Sequence, residues 1–295
     1  MKRVDEFLHY IQFEKRYSMY TMESYERDIR QFSDYLQEVY HVNDARAVVD
    51  VMIRSWLAEL MDQGLVPKTI NRKISSLKSF FKFLMRQEYI HLNPTLKIQG
   101  PKQNKRLPSF IEERKMDMLL ETETDDDFEG VRNQLILELF YATGIRRAEL
   151  IGLLISNVNL ASQQIKVLGK RNKERIIPVS ANLIQQFEVY FKWRDTIVDN
   201  GKDAGWVFLT KKGEKMYPKL VYRIVNTYLS TVSTQSKKSP HVLRHTFATH
   251  MLNNGADLNA VKELLGHASL SATQIYTHNT IEKLKKIYQQ AHPKA

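Results

Sequence analysis

The chain has 295 residues, enough for two domains that each bury a core at roughly 100–200 residues per domain, and it has no cysteine, which excludes disulfides, thiolate metal sites and cysteine nucleophiles. Hydrophobic residues make up 43% of the sequence, but no apolar run approaches the ~18 residues of a bilayer span. Lys and Arg exceed Asp and Glu by 44 to 33, a net charge of +11 that points to a polyanionic partner such as nucleic acid. The N-terminus, Met1-Lys2-Arg3-Val4-Asp5-Glu6, lacks the apolar core of a secretory signal, so a cytoplasmic protein is expected.

Residues 1–96 read as a helical bundle. Val4, Phe7, Leu8 and Ile11 mark one apolar face, Tyr25, Ile29, Phe32 and Leu36 a second, and Val49, Ile53, Trp56, Leu57 and Leu60 a third. A fourth helix opens at Pro67, whose fixed φ suits a first turn, and carries Ile70, Ile74, Leu77, Phe81 and Leu84 on its buried side. Lys68, Arg72, Ser75, Ser79, Lys82 and Arg86 repeat at the same spacings without an acidic residue among them, so this stripe is expected to lie against a phosphate backbone or in a major groove. Residues 97–108, KIQGPKQNKRLP, have no hydrophobic period and read as a basic linker, with Lys102, Lys105 and Arg106 placed to cross phosphates.

Residues 109–295 form a second domain, mainly helical with one β-hairpin. Gln164–Gly169 and Glu174–Val179 alternate as strands around the tip Lys170-Arg171-Asn172-Lys173, and Trp206–Leu209 is expected to add a third strand. The acidic run from Glu121 to Glu129 reads as a solvated loop. In TGIRRAEL, Gly144 stops one helix and the arginines Arg146 and Arg147 open the next. A further helix begins at Pro240 and ends before Gly255; His241 and Arg244 lie three apart near its start, a plausible anion site. A short helix through Val261, Leu264 and Leu265 stops at Gly266, which leaves His267 just beyond its end and Tyr276 nine residues later.

The order TGIRRAEL, VLGKRNKER, HVLRHTFATHML and LLGHASLSATQIYTH resembles the tyrosine recombinase (phage integrase) family, close to its bacterial Xer branch. The resemblance covers nearly the whole chain. It implies a tyrosine recombinase fold: an N-terminal SAM-like core-binding bundle and a mostly α catalytic domain with a small β-sheet. By resemblance, Arg146, Lys170, His241, Arg244, His267 and Tyr276 are the catalytic positions, with Lys173 an alternative to Lys170, and Arg147, Arg171 and Lys173 adding DNA contacts. Arg147 and Ala272 depart from the residues usual in relatives, without removing a catalytic group.

The implied chemistry suits these residue types. Permanently charged, planar guanidinium groups grip the nonbridging oxygens of a phosphodiester in place of a metal. Tyr276 attacks phosphorus, forms a 3′-phosphotyrosyl link and stores the bond energy, so neither cofactor nor metal is needed. Lys170 protonates the leaving 5′ oxygen, His241 assists the tyrosine proton and His267 hydrogen-bonds the phosphate. The expected partners are a double-stranded DNA site, recombinase protomers in a homo- or heterotetramer on two sites, and a DNA translocase that the family allows. The expected role is resolution of chromosome or plasmid dimers in cell division, or integration and excision of a mobile element; the length favours the simpler Xer-like layout. The tail from about 280, with Ile281, Leu284 and Tyr288 at helical spacing, is expected to dock on a neighbouring protomer.

Three rival readings stand beside this one. His241 and His245 are four apart on a helix, as in a zinc-dependent nuclease, but no carboxylate accompanies them and Arg244 would repel the metal. A noncatalytic DNA-binding regulator of the same fold would dispense with groups that are all present here, and a type IB topoisomerase would use similar chemistry without joining two duplexes.

Overall fold

The computed structural model of the protein describes residues 3–102, 109–122, 125–169, 174–198, 203, 205–234, 237–266 and 286–294. Lys105, Arg106, Lys170, Arg171, Lys173, His267 and Tyr276, with Ile281 and Leu284, lie outside them. The chain divides into two compact units, Met1–Arg106 and Leu107–Ala295.

The first unit is built from α1 (Val4–His9), which runs into a π-helical turn at Tyr10–Glu14, and from α2 (Met19–Tyr40), α3 (Asp50–Asp62) and α4 (Pro67–Arg86). Ser18 caps α2 by accepting a hydrogen bond from the Thr21 amide, and Pro67 occupies the first turn of α4. Phe7, Ile29, Phe32, Trp56, Leu77, Phe80 and Phe81 form the core, each such side chain contributing about 1.5–3 kcal/mol on burial. Val49, read as part of the third apolar face, precedes α3 and is exposed.

The polar side of α4 departs from expectation in one respect. Asp28 of α2 is fully buried and accepts from Arg72 Nη1, from Lys73 Nζ at 3.1 Å and from Ser76 Oγ at 2.8 Å. Lys73 and Ser76 are therefore core residues, and half-exposed Arg72 is committed to an ion pair that reading α4 alone misses, because the acid comes from another helix. Lys68, Ser75, Lys82 and Arg86 remain exposed, with Ser79 half-buried; Lys102 is exposed.

The second unit contains α5 (Glu113–Glu121), α6 (Phe128–Thr143), α7 (Arg147–Ile151), β1 (Val158–Asn159), β2 (Gln164–Leu168), β3 (Glu174–Pro178), α8 (Ala181–Asp195), α9 (Pro218–Val232), α10 (Pro240–Asn253) and α11 (Leu258–Leu265). Helix α6 is buried along its whole second half, where Glu138 is the buried charge and accepts from Asn182 and Gln186 of α8, and it packs against α8 and α10. The sheet is antiparallel in the order β1-β2-β3, with Val167 opposite Arg175 and Leu168 opposite Glu174 in the hairpin.

The third strand is Val158–Asn159; Trp206–Leu209 does not join the sheet. Side chains take up its backbone groups instead: Arg194 Nε donates to Trp206 O, Tyr190 Oη to Val207 O and Arg132 Nη1 to Leu209 O. With those carbonyls satisfied, burial of this segment needs no ladder.

Residues 286–291 are helical and pack on their own unit. Tyr288, Ala291 and His292 are buried, His292 stacks on Tyr288 with ring centroids 5.0 Å apart, and Lys294 Nζ pairs with Asp117 at 3.0 Å. The described part of the tail thus docks in cis, where docking on a neighbour was expected, because its aromatic side finds a pocket beside Tyr141 and Phe247.

Candidate active site

The site is assembled where α6, α7, β3, α10 and the end of α11 meet. Gly144 ends α6 with φ +58°, a left-handed conformation; a Cβ there would lie 2.6 Å from Phe247 Cδ1 and 2.7 Å from Leu265 Cδ2. Only glycine fits both conditions. The chain then turns at Arg146, which caps α7: its amide donates to Glu149 Oε2 at 2.8 Å, the backward half of a capping box.

Three guanidinium groups converge on the C-terminus of α11. Arg175 Nε donates to Leu264 O at 2.7 Å, Arg244 Nη2 to Leu265 O at 2.6 Å and Arg146 Nη2 to Gly266 O at 2.9 Å. Successive carbonyls that a helix end leaves without partners are thus each satisfied by a different arginine, and the negative end of the helix dipole faces the cations. Arg244 Nη1 also donates to Gly144 O, so this residue joins the ends of two helices. Its Cα stands on α10, one turn beyond His241.

Among the described residues, Glu149 is the carboxylate that Arg146 and Arg175 hold. Arg146 Nη1 reaches its Oε1 at 2.6 Å, and Arg175 holds Oε1 at 2.7 Å and Oε2 at 2.8 Å. Burial alone would raise the Glu149 carboxyl; the hydrogen bonds and charge of Arg175, with the hydrogen bonds from Arg146, prevail and hold it down at about 2. Burial, followed by the like charges of Arg146 and Arg175, pushes the Arg244 guanidinium down to about 9, still protonated at neutral pH. Arginine side chains resist deprotonation, so the cluster stays cationic and an anion would relieve its repulsion. Arg146 offers the way in: its side chain is 33% exposed, against 4% for Arg175.

The other expected residues are placed as follows. His241 is exposed on the first turn of α10. His245 is half-buried, its pKa lowered by burial and by the charge of His241. His250 is buried and its Nδ1 lies 3.0 Å from Tyr141 Oη, which commits it to the core. Among the described residues no three His, Asp or Glu side chains are grouped to hold a metal. Arg147 is exposed and its Nη1 lies 3.5 Å from Pro218 O. Lys170, His267 and Tyr276 fall outside the described residues; Lys170 lies in sequence between β2 and β3, and His267 directly follows Gly266.

Reading the sequence residue by residue overlooks Glu149 and Arg175 as members of the site. A signal exists for each: Glu149 stands three positions after Arg146, the capping-box spacing, and Arg175 shares the buried face of β3 with Ile177.

Comparison with known proteins gives the family and the fold. Residues 109–283 match the phage integrase family, and residues 4–88 match the phage integrase N-terminal SAM-like domain. Tyrosine recombinase XerC of Pelotomaculum thermopropionicum is 38% identical over 300 residues, covering 99% of this chain and 98% of that protein. Tyrosine recombinase XerD of Staphylococcus aureus is 36% identical over 292 residues, covering 99% of each. Among solved structures, the post-cleavage complex of XerH site-specific recombinase bound to a palindromic difH substrate aligns with a TM-score of 0.73 at 23% identity, over 96% of this chain and 83% of that one. The Tn1549 transposon integrase in complex with circular intermediate DNA aligns with a TM-score of 0.71 at 21% identity, over 96% of this chain and 98% of that one. These structures share the fold.

Proposed function

The chain belongs to the phage integrase family of tyrosine recombinases, and from that premise we propose that Arg146 and Arg244 clamp the scissile phosphate of a DNA duplex while Tyr276 attacks it. The protein is a site-specific recombinase that binds double-stranded DNA and works in assemblies of recombinase protomers. The convergence of Arg146, Arg175 and Arg244 on the end of α11 carries the reading, because it concentrates positive charge beside the one-third-exposed Arg146.

In the first step the Tyr276 oxygen bonds to phosphorus as the bond from phosphorus to the 5′ oxygen breaks. The tyrosine proton leaves with help from His241, and Lys170 supplies a proton to the departing 5′ oxygen, a contribution of about 10²–10⁴-fold for such a general acid. His267 hydrogen-bonds the phosphate. In the second step the 5′ hydroxyl of the partner strand attacks the phosphotyrosine and releases Tyr276. One ester bond replaces another at each stage, so strands exchange without ATP. Charge that develops on the nonbridging oxygens is met by preorganised donors, each worth about 10²–10³ in rate.

Residues 1–96 serve as the core-binding domain, with Lys68, Ser75, Ser79 and Lys82 on its DNA side; residues 97–108, with Lys102, Lys105 and Arg106, are the linker; residues 109–295 are the catalytic domain, where Arg147, Arg171 and Lys173 add DNA contacts. The assembly is a tetramer on two sites, the place of action is the cytoplasm, and the duty is resolution of chromosome or plasmid dimers. No helix among the described residues is long and apolar enough to cross a membrane.

The test is covalent capture. The protein and its Tyr276→Phe variant are incubated with host genomic DNA in EDTA, denatured with detergent, and the attached DNA is sequenced. Attachment at a discrete site that vanishes in the variant is the expected result. Attachment that survives the substitution removes Tyr276 as nucleophile, and attachment that requires a divalent metal removes the arginine mechanism.

A further inference from the structure

Strand β3 alternates between solvent and core: Glu174 is exposed, Arg175 buried, and Ile177 buried beyond it. A cation on the inward face of a strand is costly unless its donors are matched, so what Arg175 touches decides what it does. All three of its nitrogens have partners: Nε donates to Leu264 O, Nη1 to Glu149 Oε1 and Nη2 to Glu149 Oε2. One side chain therefore joins the hairpin, α7 and the end of α11.

The contacts have a direction. Glu149 holds Arg146 by its amide and by Nη1, and Arg175 occupies both oxygens of Glu149. Pinned in this way, the carboxylate cannot turn to a symmetric two-pronged pair with Arg146, and Arg146 keeps Nη2 on Gly266 O, with the guanidinium one-third exposed. Close packing sustains the arrangement: a Cβ on Gly266, which has φ +65°, would lie 3.1 Å from Arg175 Cδ.

We propose that Arg175 is a positioning residue for strand cleavage: it anchors Glu149 so that Arg146 faces the phosphate, and it ties β3 to the arginine cluster. Arg175 itself has Nε, Nη1 and Nη2 all engaged within the protein, so its effect on the phosphate runs through Glu149. Without it, Glu149 collapses onto Arg146 and quenches the charge that the phosphate should meet. A core ion pair with no bearing on the chemistry would leave Arg146 unaffected.

The inference rests on Arg146 as a phosphate ligand, and the experiment separates the two. Arg175→Met, Arg175→Lys and Arg146→Ala are compared with the parent protein on a nicked duplex that carries the captured site. The scissile position is either the natural diester or a methylphosphonate, in which a methyl group replaces one charged oxygen. Arg175→Met is expected to form the covalent complex roughly 10–100-fold more slowly on the diester, with DNA affinity unchanged. Arg175→Lys, which keeps a buried cation but cannot span both carboxylate oxygens, is expected to show the same defect in smaller measure and decides the matter where the Met variant folds poorly. Both defects are expected to shrink on the neutral methylphosphonate, where less charge needs an arginine. Glu149→Gln combined with Arg175→Met is expected to cost less than the product of the single losses. Wild-type rates in the Arg175 variants, or equal slowing on both substrates, overturn the positioning role and leave the phosphate clamp standing. Equal slowing of Arg146→Ala on both substrates overturns the clamp itself.

Discussion

Arg175 and Glu149 form a two-pronged ion pair across 26 positions of sequence, with Nη1 to Oε1 at 2.7 Å and Nη2 to Oε2 at 2.8 Å. Their side chains are only 4% and 3% exposed, so water competes little for either charge. Losing one partner of such a pair typically costs about 3–5 kcal/mol, because the other is left buried and unmatched. The same pair orients Arg146, which makes it a point where stability and chemistry meet.

Arg146 and Arg244 should separate those two roles. Arg146→Met removes a one-third-exposed side chain, so strand cleavage should fall about 10²–10³-fold with little change in melting temperature. Arg244→Met should lose cleavage to a similar degree and also melt several degrees lower, since its guanidinium satisfies both Gly144 O and Leu265 O. Covalent-complex assays and calorimetry on both variants check this; equal melting temperatures would count against the capping role of Arg244.

In the first unit, Lys82 and Asp28 are expected to behave as opposites. Lys82 is exposed on α4, so Lys82→Ala should leave stability intact and reduce the slope of log affinity against log salt by about 0.9 if it contacts a phosphate. Asp28→Ala strands buried Lys73 and should destabilise the fold by roughly 3–5 kcal/mol. Urea unfolding and DNA titrations between 50 and 200 mM salt, on the order of the range where such slopes are read, provide the comparison.

The tail latch should weaken in acid. Lys294 N donates to His292 Nδ1 at 3.0 Å, so the neutral ring carries its proton on Nε2 and donates it to Tyr141 O at 3.1 Å. Burial, with smaller contributions from His250 and Lys294, lowers the His292 pKa from 6.5 to about 4, opposed by the bond to Tyr141 O. For a base whose folded pKa is depressed, the contribution is complete above 6.5 and is lost as pH falls from there toward 4; it amounts to roughly 3 kcal/mol. Glu149 acts in the same sense at lower pH, its contribution fading below 4.5. His292→Gln should flatten the stability profile between pH 6.5 and 4. A profile as steep as that of the parent protein would exclude the latch.

Much of the architecture is local and therefore legible in the sequence. The apolar spacing of α4, the proline that opens it, and the glycines that end α6 and α11 act through backbone geometry within one or two turns, and each element forms where those signals stand. The strand expected at Trp206–Leu209 shows the limit, because Tyr190, Arg132 and Arg194 reach its carbonyls from elsewhere in the chain and remove the need for a sheet partner. Arg72 shows it again, since its acidic partner lies 44 residues away on α2.

The sequence by itself determined the helical and hairpin elements, the basic stripe, and the motif order that points to phosphodiester exchange by a tyrosine. Tertiary structure alone decided that Arg175 belongs with Arg146 and Arg244, and that Glu149 holds both Arg146 and Arg175. Arg175 reaches Leu264 across 89 positions, Arg244 reaches Gly144 across 100 and Arg146 reaches Gly266 across 120. No local periodicity encodes separations of that length. They close only when burial of the core brings α11 against β3 and α10, and the unpaired carbonyls at its end then draw the guanidinium groups together.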